Sequence, residues 1–192
     1  MALIEAYDPS FLSQPDAHDI FQWLSHEENI AWQQETFQIF GRSQAVPRLT
    51  AWFGNEGVGY RYTGLDHNGI GWPADLQMLR DQVSARLEQT FNFVILNRYR
   101  SGADHMGWHR DAEKGTCPLI ASLSLGTVRT FKIQAEPESA PESYALEHGS
   151  LLAFNGFLRH QLPKRKRQVG ERINLTFRTI ETDDALSDTK YA

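Results

Sequence analysis

Apolar residues recur at helical spacing in two parts of the chain. The first part begins at Pro15 and Asp16, which are typical of a helix start, and predicts one short helix. The second follows Trp72 and Pro73 and predicts the clearest helix of the sequence. The apolar positions are Ile20, Phe21 and Leu24 in the first helix, and Leu76, Leu79, Val83 and Leu87 in the second. Residues 1–14 show no such pattern and are expected to form a loose arm.

Strand-like runs of apolar and aromatic residues fill most of the remaining sequence. A hairpin is predicted with one arm at residues 30–40, a turn at 41–44 and a second arm at 47–53. A glycine-rich turn then precedes an extended segment at residues 60–62. The clearest strand covers residues 91–99, where alternate positions are apolar at the start and polar at the end. That change is typical of a barrel strand that runs from a sealed core to a functional mouth.

The second half of the chain predicts a β-rich core. Short strands separated by turns are expected at residues 119–125, 130–134, 144–147, 150–154, 159–162 and 172–180. Regularly spaced short strands without helices between them are typical of a sandwich or a jelly roll. Because two helices precede them, the predicted class is α+β, in a single structural domain.

Composition and charge narrow the classes of function. The chain of 192 residues is long enough for one domain with a real core, and its single cysteine, Cys117, excludes an internal disulfide. The N-terminus lacks the features of a signal peptide, and no apolar run approaches the length of a membrane span. We therefore expect a soluble intracellular protein without a membrane partner. The net charge of −5 argues against indiscriminate binding of nucleic acid but leaves room for a local basic patch.

His109 and Asp111 are the first candidates for chemistry. In an extended segment, their spacing places both side chains on one face. An imidazole and a carboxylate on one face supply two of the three ligands of a facial metal site, which keeps positions open for a cosubstrate and oxygen. His160, in a short predicted strand, is the best candidate for the third ligand. The other histidines are expected in other roles, which are solvent exposure for His18, His26 and His67, a place next to the site for His105, and a structural hydrogen bond for His148.

The last predicted strand has an apolar face and a polar face. The apolar face carries Ile173, Leu175 and Phe177, and the polar face carries Arg172, Asn174, Thr176 and Arg178. If the apolar face packs against the helices, the polar face points inward, where two arginines require an anion. A dicarboxylate would neutralise both, because arginine binds carboxylates through paired hydrogen bonds. Two surface arginines on an edge strand are the alternative.

Aromatic and basic residues indicate a binding surface for nucleic acid. Tyr60 and Tyr62 share one face and could stack on a base, or they could be ordinary core residues. Phe40, at a predicted turn, is less natural in a core and could fill a gap in a base stack. A basic run follows His160 closely, so we expect it near the mouth of the site in contact with phosphates, although such runs are usually solvated faces. The run consists of Lys164, Arg165, Lys166 and Arg167.

These segments together resemble the AlkB family of Fe(II)- and 2-oxoglutarate-dependent dioxygenases, which repair alkylated nucleic acid, and in particular its duplex-DNA-acting branch. The resemblance covers residues 30–180. It is carried by Phe40-Gly41-Arg42, Val46-Pro47-Arg48, Tyr60-Arg61-Tyr62, Asn97-Arg98-Tyr99, His109-Arg110-Asp111-Ala112-Glu113, His148-Gly149-Ser150-Leu151-Leu152, His160-Gln161-Leu162-Pro163 and Arg172-Ile173-Asn174-Leu175-Thr176-Phe177-Arg178. The metal triad alone is weakly specific, but the whole set is strongly specific. The sequence departs from the family pattern at two positions. Trp108 immediately precedes His109, where no fixed residue type is expected in the family, and Tyr62 stands where some relatives carry Phe.

The resemblance implies roles for the matching residues. Fe(II) would be bound by His109, Asp111 and His160. The carboxylates of 2-oxoglutarate would be bound by Arg172 and Arg178, helped by Asn97, Tyr99, Asn174 and Thr176. The base set would be Tyr60 and Tyr62, which line the pocket for the damaged base, and Glu113, which reads an exocyclic amine. The nucleic-acid contacts would be Phe40, Gly41 and Arg42 at the tip of a hairpin that enters the duplex, Arg48, and the basic run Lys164, Arg165, Lys166 and Arg167.

The family fold is a double-stranded β-helix, or jelly roll, beneath an N-terminal nucleotide-recognition lid. Carried over to this chain, the resemblance predicts four regions. These are an N-terminal arm and helix at residues 1–29, the lid and its supporting helix at 30–90, the catalytic β-helix at 91–180 and a disordered tail at 181–192.

The predicted function is oxidative demethylation of 1-methyladenine and 3-methylcytosine in DNA. Fe(II), 2-oxoglutarate and O2 would oxidise the N-methyl group, and the resulting hydroxymethyl group would leave as formaldehyde. We expect a monomer in a bacterial cytoplasm, or in the nucleus of a eukaryote. Two alternatives stay open at this point. One is the same chemistry on RNA or protein, and the other is a jelly-roll protein that holds a metal and a ligand without turnover.

Overall fold

Two helices and a large set of antiparallel strands make up the part of the protein that the computed structural model describes, residues 3–39, 41–62, 65–166 and 169–181. In chain order, the elements are β1 (Ile4–Asp8), α1 (Gln14–Ser25), β2 (Thr36–Ile39), β3 (Arg42–Ala45), β4 (Leu49–Gly54), β5 (Gly59–Tyr62), β6 (Leu65–Asn68), α2 (Ala74–Leu87), β7 (Phe93–Tyr99), β8 (Met106–His109), β9 (Leu119–Gly126), β10 (Arg129–Gln134), β11 (Glu142–Leu146), β12 (Ser150–Asn155), β13 (Arg159–Leu162) and β14 (Arg172–Arg178).

Both helices form where the apolar spacing predicted them. The Ser13 hydroxyl caps α1 by accepting a hydrogen bond from the main-chain N–H of Asp16 at 3.3 Å. α2 follows Pro73 and ends at Leu87, where the next residue, Glu88, has a left-handed φ of 51° that terminates the helix. The buried residues of the two helices are Ala17, Ile20 and Leu24 in α1, and Leu76, Leu79 and Val83 in α2.

The main sheet is antiparallel and has the strand order β1–β12–β9–β14–β7–β4. The helices cover one face, and their apolar residues pack with those of the sheet in the largest core cluster. Ile173, Leu175 and Phe177 of β14 belong to this cluster and are fully buried. Because side chains alternate along a strand, the polar residues of β14 point to the opposite face, as predicted.

A second antiparallel sheet, in the order β11–β10–β13–β8, lies against the first. Side chains from both sheets form a common core of Ile120, Phe131, Ile133, Leu146, Leu152 and Phe154. Two antiparallel sheets packed on a shared core form the double-stranded β-helix, so the prediction of an α+β jelly roll is confirmed.

Two hairpins lie outside these sheets. β2 pairs with β3, and β5 pairs with β6. Gly41 connects the first pair with a φ of +74°, a left-handed conformation that glycine adopts without strain. Tyr60 of β5 packs with Phe93 and Ile95 of the main sheet, which fixes the second hairpin against β7.

The N-terminal residues are not a loose arm, contrary to the prediction. β1 pairs with β12, from Ile4 beside Phe154 to Asp8 beside Leu151, and it forms one edge of the main sheet. An edge strand is covered on fewer sides than a central one, and none of the five residues of β1 is fully buried. Its sequence therefore lacks the strong alternation from which a strand could be predicted.

The predicted hairpin over residues 30–53 is only partly correct, because its two arms meet at a single antiparallel bridge between Gln33 and Thr50. Residues 42–44, expected within a turn at 41–44, belong instead to β3, which pairs with β2, and β2 begins only at Thr36. The expected second arm is β4, which pairs with β7 in the main sheet. Its apolar residues therefore reflect burial in that sheet. β6 is a strand that the sequence did not predict.

No helix within the described ranges is long and apolar enough to cross a membrane. Residues 182–192, most of the predicted tail, lie outside the described part of the chain, as do Phe40, Arg167 and the side chain of Tyr62.

Candidate active site

The predicted ligands and arginines meet in one pocket between the two sheets. In the main sheet, β14 sets Arg172 beside Tyr99 and Asn174 beside Asn97 of β7. In the second sheet, β13 sets His160 beside His109 of β8. The pocket has a volume of about 520 Å³, including its open mouth. Its walls are formed by Arg48, Ile95, Asn97, Tyr99, Met106, His109, Asp111, Phe131, Phe154, His160, Gln161, Leu162, Arg172, Asn174, Thr176 and Arg178.

His109, Asp111 and His160 form a cluster suited to a metal ion. Their ligand atoms all lie within 4.8 Å of one another. Nε2 of His109 lies 3.7 Å from Asp111 Oδ1, and Nε2 of His160 lies 3.6 Å from Asp111 Oδ2. In each histidine, Nδ1 lies 2.8 Å from the main-chain carbonyl two residues earlier, which orients Nε2 into the cluster.

The polar atoms of this cluster fit a divalent cation. Asp111 Oδ1 is buried and has no hydrogen-bond partner among the described residues, an arrangement that is costly without a cation. Two imidazoles and one carboxylate are the ligand set of facial Fe(II) sites. The third ligand, which spacing alone left open, is therefore assigned to His160 by geometry.

Burial and neighbouring charges keep the ligands in the protonation state that binds metal. Burial, together with the nearby His160, lowers the pKa of His109 to about 4, so the imidazole is neutral at pH 7. Burial alone would raise the pKa of Asp111, but Arg178 and His160 outweigh it and hold that pKa well below its usual range. A neutral imidazole and an ionised carboxylate are the forms that coordinate a metal.

Gly156, just after β12, allows the main chain to approach Asp111 closely. A Cβ atom at Gly156 would lie 2.6 Å from Ile120 Cγ1 and 3.2 Å from Asp111 Cβ. The Gly156 carbonyl accepts a hydrogen bond from the Asp111 N–H at 2.8 Å. Gly156 therefore holds the main chain of a metal ligand in a position that a larger residue would disturb.

Gly156→Ala is expected to lower stability by about 1–3 kcal/mol, because the added methyl group overpacks the core. It should also weaken metal binding, since Asp111 must shift to make room. Urea unfolding and anaerobic Fe(II) titration would measure the two effects. Gly107→Ala is the matched control, because a Cβ there meets nothing within 4 Å. Equal losses in both variants would contradict the prediction.

Arg172 and Arg178 face the pocket as buried cations, which excludes the alternative of surface arginines. Arg172 is 2% exposed, donates to the Ser124 hydroxyl at 2.8 Å and has no described partner at Nε. Burial lowers its pKa to about 10. Arg178 donates to Asp111 Oδ2 at 2.8 Å, while its Nε and Nη1 have no partner in the described part of the chain. Both guanidinium groups therefore have N–H groups available for a carboxylate.

The amide and hydroxyl groups of β14 are already engaged within the protein. The Asn174 amide donates to the Ser122 hydroxyl at 2.8 Å and to the Leu123 carbonyl at 2.9 Å. The Thr176 hydroxyl donates to the side-chain oxygen Oδ1 of Asn174 at 2.9 Å. Both side chains line the pocket, and these bonds fix the shape of its wall.

Arg48 was predicted to be a nucleic-acid contact in a basic patch, but it is buried in the pocket. It is 5% exposed, and its Nε donates to Asn97 Oδ1 at 2.6 Å. The prediction rested on the resemblance, and the sequence alone does not show how β4 is paired. Once β4 is paired with β7, Arg48 lies at the start of that pair and faces inward.

Tyr60 and Glu113 lie side by side next to the metal cluster. The Tyr60 hydroxyl donates to Glu113 Oε2 at 2.9 Å, and the Tyr60 ring lies 5.1 Å from the Arg178 guanidinium carbon. Tyr60 is 2% exposed, so it is a core residue as well as a neighbour of the site. Burial raises its pKa far above the usual range, which keeps the phenol protonated as a donor.

The predicted basic contacts lie at the surface. Gly41, Arg42, Lys164, Arg165 and Lys166 are exposed. The main chain of Arg165 donates to the Gly102 carbonyl at 2.8 Å, which holds the basic run beside the loop that precedes β8.

The remaining histidines differ in how well the sequence predicted them. His148 accepts a hydrogen bond from the Gly126 N–H at 2.8 Å, so the predicted structural role is confirmed. His67 was predicted to be exposed but is 3% exposed, because β6 packs it against Trp52 of the main sheet. His105 and Trp108 do not line the pocket, and the Trp108 ring packs against Arg159 at 5.5 Å.

Fold and site together define an oxygenase of the iron- and 2-oxoglutarate-dependent class. Residues 6–178 match the sequence model of the 2OG-Fe(II) oxygenase superfamily, and the chain belongs to that superfamily. It uses Fe(II), 2-oxoglutarate and O2, and His109, Asp111 and His160 form a group that could hold the iron.

Similar proteins refine this assignment. Human DNA oxidative demethylase ALKBH2 is 39% identical over 180 residues, which cover 86% of this chain and 69% of that protein. Bovine alpha-ketoglutarate-dependent dioxygenase alkB homolog 3 is 33% identical over 190 residues, which cover 91% of this chain and 65% of that protein. The resemblance to the AlkB family is thereby confirmed.

A solved structure shares the fold. The crystal structure of an oxidoreductase of the 2OG-Fe(II) oxygenase family from Burkholderia pseudomallei matches with a TM-score of 0.62. The match covers 91% of this chain and 84% of that chain at 13% sequence identity, so it supports the fold alone.

Proposed function

We propose that this oxygenase is an oxidative demethylase that repairs N-alkylated bases in DNA, such as 1-methyladenine and 3-methylcytosine, and releases formaldehyde. The observation that carries the proposal is the Tyr60–Glu113 pair beside the iron ligands. A carboxylate there can accept a hydrogen bond from the exocyclic amine of a base that has left the stack. The similarity to proteins named DNA oxidative demethylase supports the same class of substrate.

The chain's own residues would bind and orient the reactants. Arg172 and Arg178 would hold the carboxylates of 2-oxoglutarate, and Glu113 would hold the base with its methyl group towards the iron ligands. When bound, Fe(II), 2-oxoglutarate and O2 supply the oxidant that inserts one oxygen atom into a methyl C–H bond, with succinate and carbon dioxide as coproducts. The bond between the hydroxymethyl carbon and the ring nitrogen would then break as the hydroxyl proton passes to water, so that formaldehyde leaves and the unmodified base is restored.

A base inside a duplex must leave the stack to reach this pocket, at a cost of a few kcal/mol. The exposed residues Arg42, Lys164, Arg165 and Lys166 are suited to hold the phosphates while it does so. We propose that Phe40 and Gly41, which follow β2, and Arg42, the first residue of β3, enter the duplex, and that Tyr62 lines the base pocket with Tyr60. These roles favour duplex DNA over RNA or protein.

We further propose that the protein acts as a monomer in the compartment that holds the genome, the cytoplasm of a bacterium or the nucleus of a eukaryote. The alternative of a jelly-roll protein without turnover is not favoured, because the chain belongs to an oxygenase superfamily and has its ligand set.

The test is demethylation of oligonucleotides that carry one 1-methyladenine. The Fe(II)-loaded protein, 2-oxoglutarate and O2 are incubated with single- and double-stranded DNA and with the matching RNA, and formaldehyde, succinate and restored adenine are quantified. We expect equal yields of the three products with DNA. Succinate without formaldehyde on any nucleic acid would refute the proposed substrate class while keeping the oxygenase assignment.

Lys164→Ala combined with Lys166→Ala is expected to weaken DNA binding without changing base preference, because phosphate contacts carry no sequence information. If each lysine neutralises one phosphate, the slope of log K against log salt should fall by about 2 in duplex DNA. Fluorescence anisotropy over a salt series would measure it. Arg80→Ala combined with Arg86→Ala is the control, because it also removes two positive charges, from α2 on the opposite side of the main sheet. An unchanged slope in the lysine double variant would contradict the phosphate role.

A further inference from the structure

A buried ion pair, Glu35 and His67, lies outside the pocket and takes no part in the chemistry described above. His67 Nε2 lies 2.7 Å from Glu35 Oε1, and the two side chains are 4% and 7% exposed. Burial of charged groups is costly, and replacing such a pair with apolar residues is often neutral or stabilising. The pair therefore has no evident role in stability, but it connects separate parts of the structure.

His67 has an oxygen acceptor at each ring nitrogen. Nε2 faces the Glu35 carboxylate, and Nδ1 lies 3.3 Å from the main-chain carbonyl of Tyr60. Burial alone would raise the pKa of Glu35, but the hydrogen bond and charge of His67 lower it overall, so Glu35 is ionised. A neutral imidazole can donate from only one nitrogen, whereas an imidazolium donates from both. The geometry thus gives each ring nitrogen of His67 an oxygen partner from a different segment.

These bonds join three separate parts of the structure. The Glu35 carbonyl accepts a hydrogen bond from the Val46 N–H at 2.9 Å, which closes the base of the β2–β3 hairpin. His67 belongs to β6 and is paired with Tyr60 of β5. The ring of Trp52, in β4 of the main sheet, packs edge-on against the His67 ring with 4.4 Å between centroids. One imidazole therefore contacts both hairpins and the edge of the sheet.

We propose that Glu35 and His67 are positioning residues that join the β2–β3 and β5–β6 hairpins into one substrate-binding lid. The inference rests on the proposed function, because the lid is the part of the protein that would receive the flipped base. His67 holds Tyr60 through its carbonyl, and Tyr60 in turn donates to Glu113. Loss of the pair would thus displace the base-binding residues while the iron ligands, on β8, the segment after it and β13, stay in place.

Two amide substitutions separate the two bonds of His67. His67→Asn places an amide nitrogen near the position of Nδ1, so it keeps the bond to Tyr60 and loses the bond to Glu35. His67→Gln places the nitrogen near Nε2 and has the opposite effect. Glu35→Gln retains an acceptor but removes the charge. Asp66→Asn is the matched control, because Asp66 precedes His67 in β6 and its ion pair with Arg61 is 66% and 71% exposed.

The first measurement is steady-state kinetics on methylated duplex DNA. His67→Asn should raise KM for DNA about tenfold, because a buried hydrogen bond to a charged group is lost, and should change kcat and KM for 2-oxoglutarate much less. Glu35→Gln should cause a smaller rise, and Asp66→Asn none. A fall in kcat at constant KM for DNA would overturn the proposal, because it would show that the pair affects the chemical step and not DNA binding.

The second measurement, amide hydrogen exchange, does not depend on activity. His67→Asn should accelerate exchange in residues 36–45, and His67→Gln in residues 59–61, with exchange in β7 and β14 unchanged. Unchanged exchange in residues 36–45 of His67→Asn would overturn the proposal. If the amides of His67→Asn exchange rapidly throughout the protein, the same test is made with Glu35→Gln, and unchanged exchange in its residues 36–45 would overturn the proposal. If the wild type fails to demethylate DNA, the proposed function fails, and hydrogen exchange still tests whether the lid is one unit.

Discussion

Asp111→Ala is expected to abolish turnover and to destabilise the protein in a single change. The substitution removes one of three iron ligands, so succinate formation and Fe(II) binding should fall below detection. It also leaves the buried Arg178 without the carboxylate to which it donates at 2.8 Å. Removing one partner of a buried ion pair costs about 3–5 kcal/mol. Anaerobic Fe(II) titration and urea unfolding would measure the two losses separately.

His109→Ala separates the two effects. It should abolish turnover equally, but its cost in stability should be smaller, because the His109 side chain is 22% exposed and no buried cation depends on it. His26→Ala, an exposed histidine outside the pocket, serves as the control and should keep wild-type values. Wild-type turnover in either ligand variant would refute the assignment of the iron site.

Arg172→Met is expected to raise KM for 2-oxoglutarate about 100-fold without lowering the stability of the ligand-free protein. The loss in affinity follows because a buried guanidinium–carboxylate contact is worth about 2–5 kcal/mol when one partner is truncated. Stability should not fall, because Arg172 has no carboxylate partner among the described residues. Its buried charge opposes folding until the cosubstrate neutralises it.

Thermal unfolding with and without 2-oxoglutarate would check this result. The cosubstrate should raise the melting temperature of the wild type, since a ligand that binds only the folded state stabilises it, and should have little effect on Arg172→Met. Arg178→Met offers the contrast, because it leaves the buried Asp111 unpaired and should lower stability in the absence of ligand. A similar destabilisation in both variants would contradict the distinct roles of the two arginines.

The sequence predicted the catalytic half of the molecule well because its signals are local. In β14, apolar and polar residues alternate strictly. The alternation is required because the face that carries Ile173, Leu175 and Phe177 packs in the core cluster formed with the helices. The His109–Asp111 spacing is equally local. His160 was harder to assign, because its place beside His109 arises from pairing between strands that are distant in sequence.

Features that depend on strand pairing were missed. β1 and β4 lie at the two edges of the main sheet, and nothing in their own sequences states which strand they pair with. Arg48 and His67 were both expected at the surface, although each is buried in the folded protein. In both cases a charged or titratable side chain is satisfied by a partner from another segment, Asn97 or Glu35, which a one-dimensional pattern does not reveal.

The edge position of β1 also bears on the solubility of shortened forms of the protein. β12, the strand that it covers, is almost entirely buried and carries Leu151, Leu152 and Phe154. Removal of residues 1–9 would leave the N–H and C=O groups along one side of β12 unpaired, next to apolar side chains. Such an uncovered edge is a template for pairing with a second molecule and then for aggregation. The N-terminal strand thus places the charged residues Glu5 and Asp8 at the sheet edge in place of the apolar β12.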